Sequence, residues 1–179
     1  MKINLLFSFL VIGLTTYAQP LILTPSISPD GSTIAFSYQG DIWTVPSSGG
    51  RADRLTIHEA YDVSPVSSKH GSQLAFNSDR YGNFDVFTIS AKGGIPKRLT
   101  FHSSNDHVTD FTTKGEVLFL TRRLYAQVER EYEIQKVSTS GGTPSLALDA
   151  LGFDATLSPD GSKIAFVRGT CRLEREAYR

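Results

Sequence analysis

The nonapeptides SPDGSTIAF at residues 28–36 and SPDGSKIAF at residues 158–166 differ at one position, Thr33 against Lys163. A phrase written twice over so long an interval calls for a search between the copies. Gly31 aligns with Gly71, Gly115 and Gly161, at successive spacings of 40, 44 and 46 residues, which is the signature of a repeat array. The residues after these glycines are STIAF, SQLAF, EVLF and SKIAF. A second block trails each of the first three: DIWTVPSSGGRADRLT from Asp41, DVFTISAKGGIPKRLT from Asp85 and EIQKVSTSGGTPSLAL from Glu133. In each block the acid precedes the first glycine of the Gly-Gly pair by eight positions.

The segments IAFSY, DIWTV, LAFNS, DVFTI and VLFL are short, β-branched and aromatic, and Pro-Asp-Gly or Gly-Gly bounds them. That pattern predicts strands joined by tight hairpins. Pro29 sets φ for the first turn position, Asp30 bonds neighbouring backbone, and Gly31 supplies the positive φ that closes the turn. Each unit predicts four strands: a lead-in, the IAF strand, the DIWTV strand and a short RLT strand. Ile34-Ala35-Phe36 and the run from Val117 to Leu120 are apolar on both faces, so both faces need cover. An all-β fold follows, a β-propeller of four-stranded antiparallel blades in which small Ala35, Ala75 and Ala165 permit close approach between blades. The expected units are about 22–67, 68–112, 113–157 and a truncated 158–179, an incomplete propeller of about three and a half blades. A β-sandwich explains the strands but not this period with two glycine landmarks.

The remaining composition sets limits. Of 179 residues, 18 are basic and 18 acidic, so the formal net charge is zero and no like-charge run marks a nucleic-acid partner. Cys171 is the single cysteine, which excludes an intrachain disulfide and reads as a small buried hydrophobe. At the N-terminus, Lys2, the apolar segment 3–14 and Ala18 predict a signal peptide over residues 1–18. As a helix the apolar segment spans roughly 18 Å against a hydrocarbon core of ~30 Å, so no stable membrane insertion is expected. The mature chain would work in the periplasm or outside the cell.

The alternation of SPDGSTIAF with DIWTVPSSGGRADRLT resembles the propeller repeats of the tricorn protease family, the TolB proteins and propeller-bearing prolyl-oligopeptidase-type peptidases. TolB proteins place a small α/β domain before the propeller, whereas here the repeats begin at Ile22; the chain is therefore most similar to exported tricorn-like serine peptidases. In that family the N-terminal propeller is followed by a second propeller, a PDZ domain and the region with the nucleophilic serine and its histidine. The resemblance implies a module that admits or guides peptide substrates, partnered by peptides or proteins and by the remaining blades and catalytic domains. It transfers no catalytic residue and implies no cofactor or metal. The fourth unit stops inside a blade, so the sequence reads as a fragment whose open arc favours homo-oligomers. A non-enzymatic TolB-like binding propeller is the alternative, and a propeller followed by an α/β-hydrolase a third.

His58, His70, His102 and His107 show neither HExxH spacing nor a GxSxG elbow and read as residues of loops between strands. In SDRYGNFD, Asp79, Asn83 and Asp85 offer calcium-type oxygens without an EF-hand pattern, and turn chemistry explains them better. Trp43, aligned with Phe87 and Lys136, reads as blade packing. Arg54 and Arg98 occupy equivalent slots before Leu-Thr and suit a solvated strand edge or a bond to a neighbouring blade better than a carboxylate-binding ring. The insertion TRRLYAQVEREY at residues 121–132 lengthens one rim of the third unit and suits either a partner contact or an extended hairpin.

Overall fold

A computed structural model describes residues 21–124 and 132–168. The expected signal peptide, Cys171 and most of the charged insertion lie outside these residues. The described residues form strands and turns, with no helix long and apolar enough to cross a membrane among them.

The first sheet holds β1 (Leu23–Ile27), β2 (Thr33–Tyr38), β3 (Asp41–Pro46) and β4 (Asp53–Arg54) in that order, all neighbours antiparallel. The second repeats it with β5 (Asp62–Ser67), β6 (Gln73–Ser78), β7 (Asp85–Ser90) and β8 (Lys97–Arg98). β9 (His107–Phe111), β10 (Glu116–Thr121) and β11 (Tyr132–Ser138) begin a third. Each sheet therefore starts with its lead-in strand, at 62 and 107, upstream of the expected unit boundaries at 68 and 113.

The third unit departs from the pattern. β12 (Ser145–Leu157) is one strand of 13 residues that pairs with β11 through Ser145, Leu146, Leu151 and Gly152, then with β13 (Ile164–Val167) through Phe153, Thr156 and Leu157. It closes the third sheet and opens the fourth hairpin. The first two units separate these strands by an RLT-containing loop; here Ser145-Leu146-Ala147-Leu148 replaces it and the chain stays extended. Gly152 is required at the crossing, because an added Cβ would lie 2.6 Å from the Phe166 ring and from the Val167 carbonyl oxygen.

The turns follow the repeated phrase. The Gly31, Gly71, Gly115 and Gly161 amides donate to the carbonyls of Ser28, Ser68, Thr112 and Ser158, all with φ between 69° and 76°, a left-handed conformation that glycine adopts without a Cβ penalty. The hydroxyls of Ser28, Ser68, Thr112 and Ser158 accept the amides of Thr33, Gln73, Glu116 and Lys163 at 2.9–3.0 Å. At Asp30 and Asp160 the Ser28 and Ser158 hydroxyls, then the amides and hydroxyls of Ser32 and Ser162, hold the carboxyls down at about 2.

Sheets stack face to face through alternate residues of each strand. Ala35 and Ile42 of the first sheet meet Leu74, Phe76, Phe87 and Ile89 of the second. The opposite face of the second, Ala75, Val86 and Leu99, meets Val108, Phe111, Val117, Phe119 and Val137 of the third. Leu118, Leu120 and Ile134 then meet Ala155, with Leu157, Ile164 and Phe166 against them. This is β-propeller packing, three four-stranded blades and the hairpin of a fourth. Alanine sits where a neighbour sends bulk: Ala75 is fully buried among valines and phenylalanines. We expect Ala75→Leu to cost about 1–3 kcal/mol by overpacking, read from the urea midpoint at unchanged slope.

Candidate functional site

The lead-in strands meet one another in series: β1 contacts β5, β5 contacts β9, and β9 contacts β12. They surround a cleft of about 410 Å³ lined by Thr24, Pro25 and Ser26, by Ser64, Pro65 and Val66, by Val108 and Thr109, and by Asp154, Ala155 and Thr156. The cleft thus lies where the four blades converge. Each of β1, β5 and β12 carries a bulge at the same register, with Thr24, Ser64 and Asp154 at positive φ of 46–56°. Non-glycine residues hold that conformation only when their surroundings impose it. At the second bulge an inter-blade bond contributes, since Ser37 Oγ accepts the Ser64 amide at 3.1 Å; nearby, Ser26 Oγ accepts the Ser67 amide at 3.2 Å. Asn77 accepts the Val108 amide and donates to the Asp106 carbonyl. Asp110 joins three blades, receiving Lys69 Nζ at 2.7 Å, Thr156 Oγ1 at 3.0 Å and the Leu157 amide at 2.8 Å. The cleft wall offers hydroxyls, prolines and one exposed carboxylate, Asp154.

The end of each of the first two blades that lies away from its glycine turn carries a different repeated device. Arg54 pairs with Asp41 and donates from Nε to the Thr56 carbonyl; Arg98 pairs with Asp85 at 2.7 Å and donates to the Thr100 carbonyl at 2.8 Å. Thr56 and Thr100 accept the Ile42 and Val86 amides and donate to the same carboxylates. DIWTV and RLT are therefore two halves of one ion-paired clasp within a blade. Arg54 and Arg98 do lie on the edge strands of their sheets, with 40% and 20% of their side-chain surface exposed, but their bonds stay within one blade, which corrects the expectation of a link to a neighbouring blade. In the third unit, Leu146 stands where the arginine would, and Glu133 instead accepts from the Leu124 amide and from Gln135 Nε2. A second series, Asp62 with Arg80 and Asp106 with Arg123, fastens the lead-in strands to the neighbouring hairpin loops.

These sheets, their sequence and their order agree with one profile: that of the tricorn protease N-terminal beta propeller domain matches residues 19–179. The chain belongs to this family. Among solved structures, the tricorn propeller chain superposes on the tricorn protease with a TM-score of 0.67 at 17% identity, covering 79% of this chain and 14% of that one. A protein described as TolB from Agrobacterium tumefaciens gives 0.64 at 20% identity, over 87% of this chain and 61% of that one. TolB from Acinetobacter baumannii gives 0.62 at 21% identity, over 82% and 37%. The tricorn propeller chain thus spans less than two thirds of each of these proteins, and the likeness is one of fold. Among curated protein sequences, none matches.

The remaining candidates of the tricorn propeller chain fall into structural roles. His58 and His102 each accept, through Nδ1, the amide two residues ahead at 3.0 Å, the same cap in two blades. His70 lies in the β5–β6 turn, and His107, expected in a loop, lies in β9. In the SDRYGNFD loop the three oxygen-bearing side chains diverge: Asp79 accepts the Tyr61 amide, Asn83 donates to the His102 and Ser104 carbonyls, and Asp85 faces Arg98. Trp43 stands opposite Phe36, as Phe87 stands opposite Phe76; the third occupant of that slot is Gln135, and Lys136, expected there, pairs with Leu118 one position on. The Trp43 indole donates to the Tyr38 carbonyl and meets the Tyr38 ring edge-on.

Two carboxyl and imidazole groups are displaced by burial. Burial pushes the Asp85 carboxyl up against the opposing pull of Arg98. Burial lowers the His107 imidazole, with Asp106 raising it and Arg122 lowering it further. A histidine whose folded pKa lies below its unfolded value contributes full stability above about 6.5 and loses it as the pH falls towards the folded value. Between pH 7.5 and pH 5 the melting temperature of the wild type should therefore drop further than that of His107→Gln. Equal drops would remove His107 from the acid response.

Proposed function

We propose that this chain is the substrate-guiding propeller region of an exported tricorn-type serine peptidase, holding extended peptides in the axial cleft and supplying no catalytic side chain. The observation that carries the reading is the cleft where four lead-in strands converge, walled by hydroxyls, prolines and bulged backbone. Bulges interrupt ladder pairing and leave main-chain groups for an extended ligand. The family assignment and the apolar N-terminal segment support export and a peptidase parent. The comparable likeness to TolB favours a second reading, a periplasmic propeller that binds protein partners and is not an enzyme.

Titration of the full chain with a labelled unstructured peptide tests the proposal. Binding in the micromolar range without cleavage is expected, reduced about tenfold or more by Thr109→Lys, which fills the cleft. Peptide cleavage by this chain, or affinity indifferent to Thr109→Lys, would overturn it. The coding sequence downstream separates the two readings: a PDZ segment and a serine-peptidase region support the first, and termination soon after ring closure the second.

A further inference from the structure

The loops opposite the Pro-Asp-Gly turns carry a surface that the axial cleft does not use. Ile57, Tyr61, Tyr81, Phe101 and Leu124, in the connections after β4, β6, β8 and β10, are between 61% and 77% exposed. Single exposed apolar residues are ordinary, but five on adjoining loops of one rim form a patch. Hydrogen bonds join those loops: the Tyr61 amide to Asp79, Asn83 to the His102 and Ser104 carbonyls, and Ser104 Oγ to the Arg122 carbonyl.

The charge beneath the patch is layered. The carboxylates of Asp41 and Asp85 keep 4% and 0% of their side-chain surface, whereas their partners Arg54 and Arg98 keep 40% and 20%. Solvent therefore meets the cationic half of each pair. Arg98 lies between two exposed rings, its guanidinium carbon 4.1 Å from the Tyr81 centroid and 4.7 Å from that of Phe101. Stacking of this kind leaves the in-plane N–H groups as the reactive edge, and Thr100 and Asp85 take only part of a five-donor fork. Flat aromatic walls beside guanidinium N–H groups match a carboxylate flanked by an apolar side chain.

We propose that this rim is a docking surface for a protein segment bearing an acidic residue next to an aromatic or aliphatic one, seated on Tyr81, Arg98 and Phe101. The proposal is independent of the axial cleft. Among the described residues of the rim, the exposed Glu59 opposes such a ligand.

The test uses the full chain and three fluorescein-labelled peptides of equal length, built from Glu-Phe, Lys-Phe and Glu-Ser repeats. The Glu-Phe peptide should bind at least about tenfold more tightly than either other, and its affinity should fall with added salt. Phe101→Ser and Tyr81→Ser should each weaken it about tenfold, Glu59→Gln should tighten it, and Ile95→Ser, 95% exposed on the opposite rim, should leave it unchanged. Melting curves confirm that each variant is folded. Equal binding of Glu-Phe and Lys-Phe peptides overturns the proposal, as does affinity unaffected by Phe101→Ser in a folded variant. Sedimentation that shows self-association through the same residues without peptide binding also overturns it, by assigning the surface to a second copy.

Discussion

Arg98→Ala should lower stability by about 3–5 kcal/mol in a urea titration, the loss typical of removing one partner of a buried pair. Asp85 has no exposed side-chain surface, and Arg98 Nη2 at 2.7 Å is the cation that faces it. Burial already pushes that carboxyl up with the arginine in place. Without it, the Thr100 hydroxyl at 3.4 Å still donates to this carboxylate, but weakly. The group must then take up a proton or remain charged in a dry interface. The double variant Asp85→Leu with Arg98→Met should recover most of the loss, because two apolar side chains of similar volume leave no uncompensated charge. A loss below about 1 kcal/mol for Arg98→Ala would place this pair with exposed ion pairs and end the argument.

Phe119→Ala should cost a similar amount, about 3–5 kcal/mol, through lost burial and the cavity left behind. Phe119 is fully buried between the second and third blades, in one cluster with Ala75, Val86 and Leu99. Its ring also carries the Arg123 guanidinium, 5.2 Å from the centroid. Blade faces have no other cover, so a void there is not filled by local collapse of a single sheet. A domain of ordinary stability, about 5–15 kcal/mol, would keep little margin at 37 °C. Ile95→Ala, at a residue 95% exposed, should by contrast change stability by less than about 0.5 kcal/mol. A Phe119→Ala melt within a degree of wild type would show that the faces are not stacked as described.

The repeat was legible because hairpin turns are local chemistry. A glycine at positive φ, a serine hydroxyl two residues before the aspartate, and a Gly-Gly pair act over a few residues, so their spacing can be read directly. The clasp was half legible. Asp41 and Asp85 each precede their arginine by 13 positions, and the unit that loses the arginine has glutamate instead of aspartate. That coupled change was the available signal, but strand pairing across β3–β4 and β7–β8 was needed to bring each acid to its arginine. Gln135, by contrast, was legible in the third blade without any strand pairing, because it follows Glu133 by the same two positions by which Trp43 and Phe87 follow Asp41 and Asp85.

The amino-acid order by itself determined the hairpins, their turns and the repeat that spaces them, since each is set by contacts over a few residues. Only the tertiary structure decided which side of each strand meets which neighbour, that β12 runs unbroken from one blade into the next, and that aromatic side chains from two loops flank Arg98. Those outcomes depend on residues tens of positions apart competing for the same space, and no local rule ranks such contacts before the sheets are stacked.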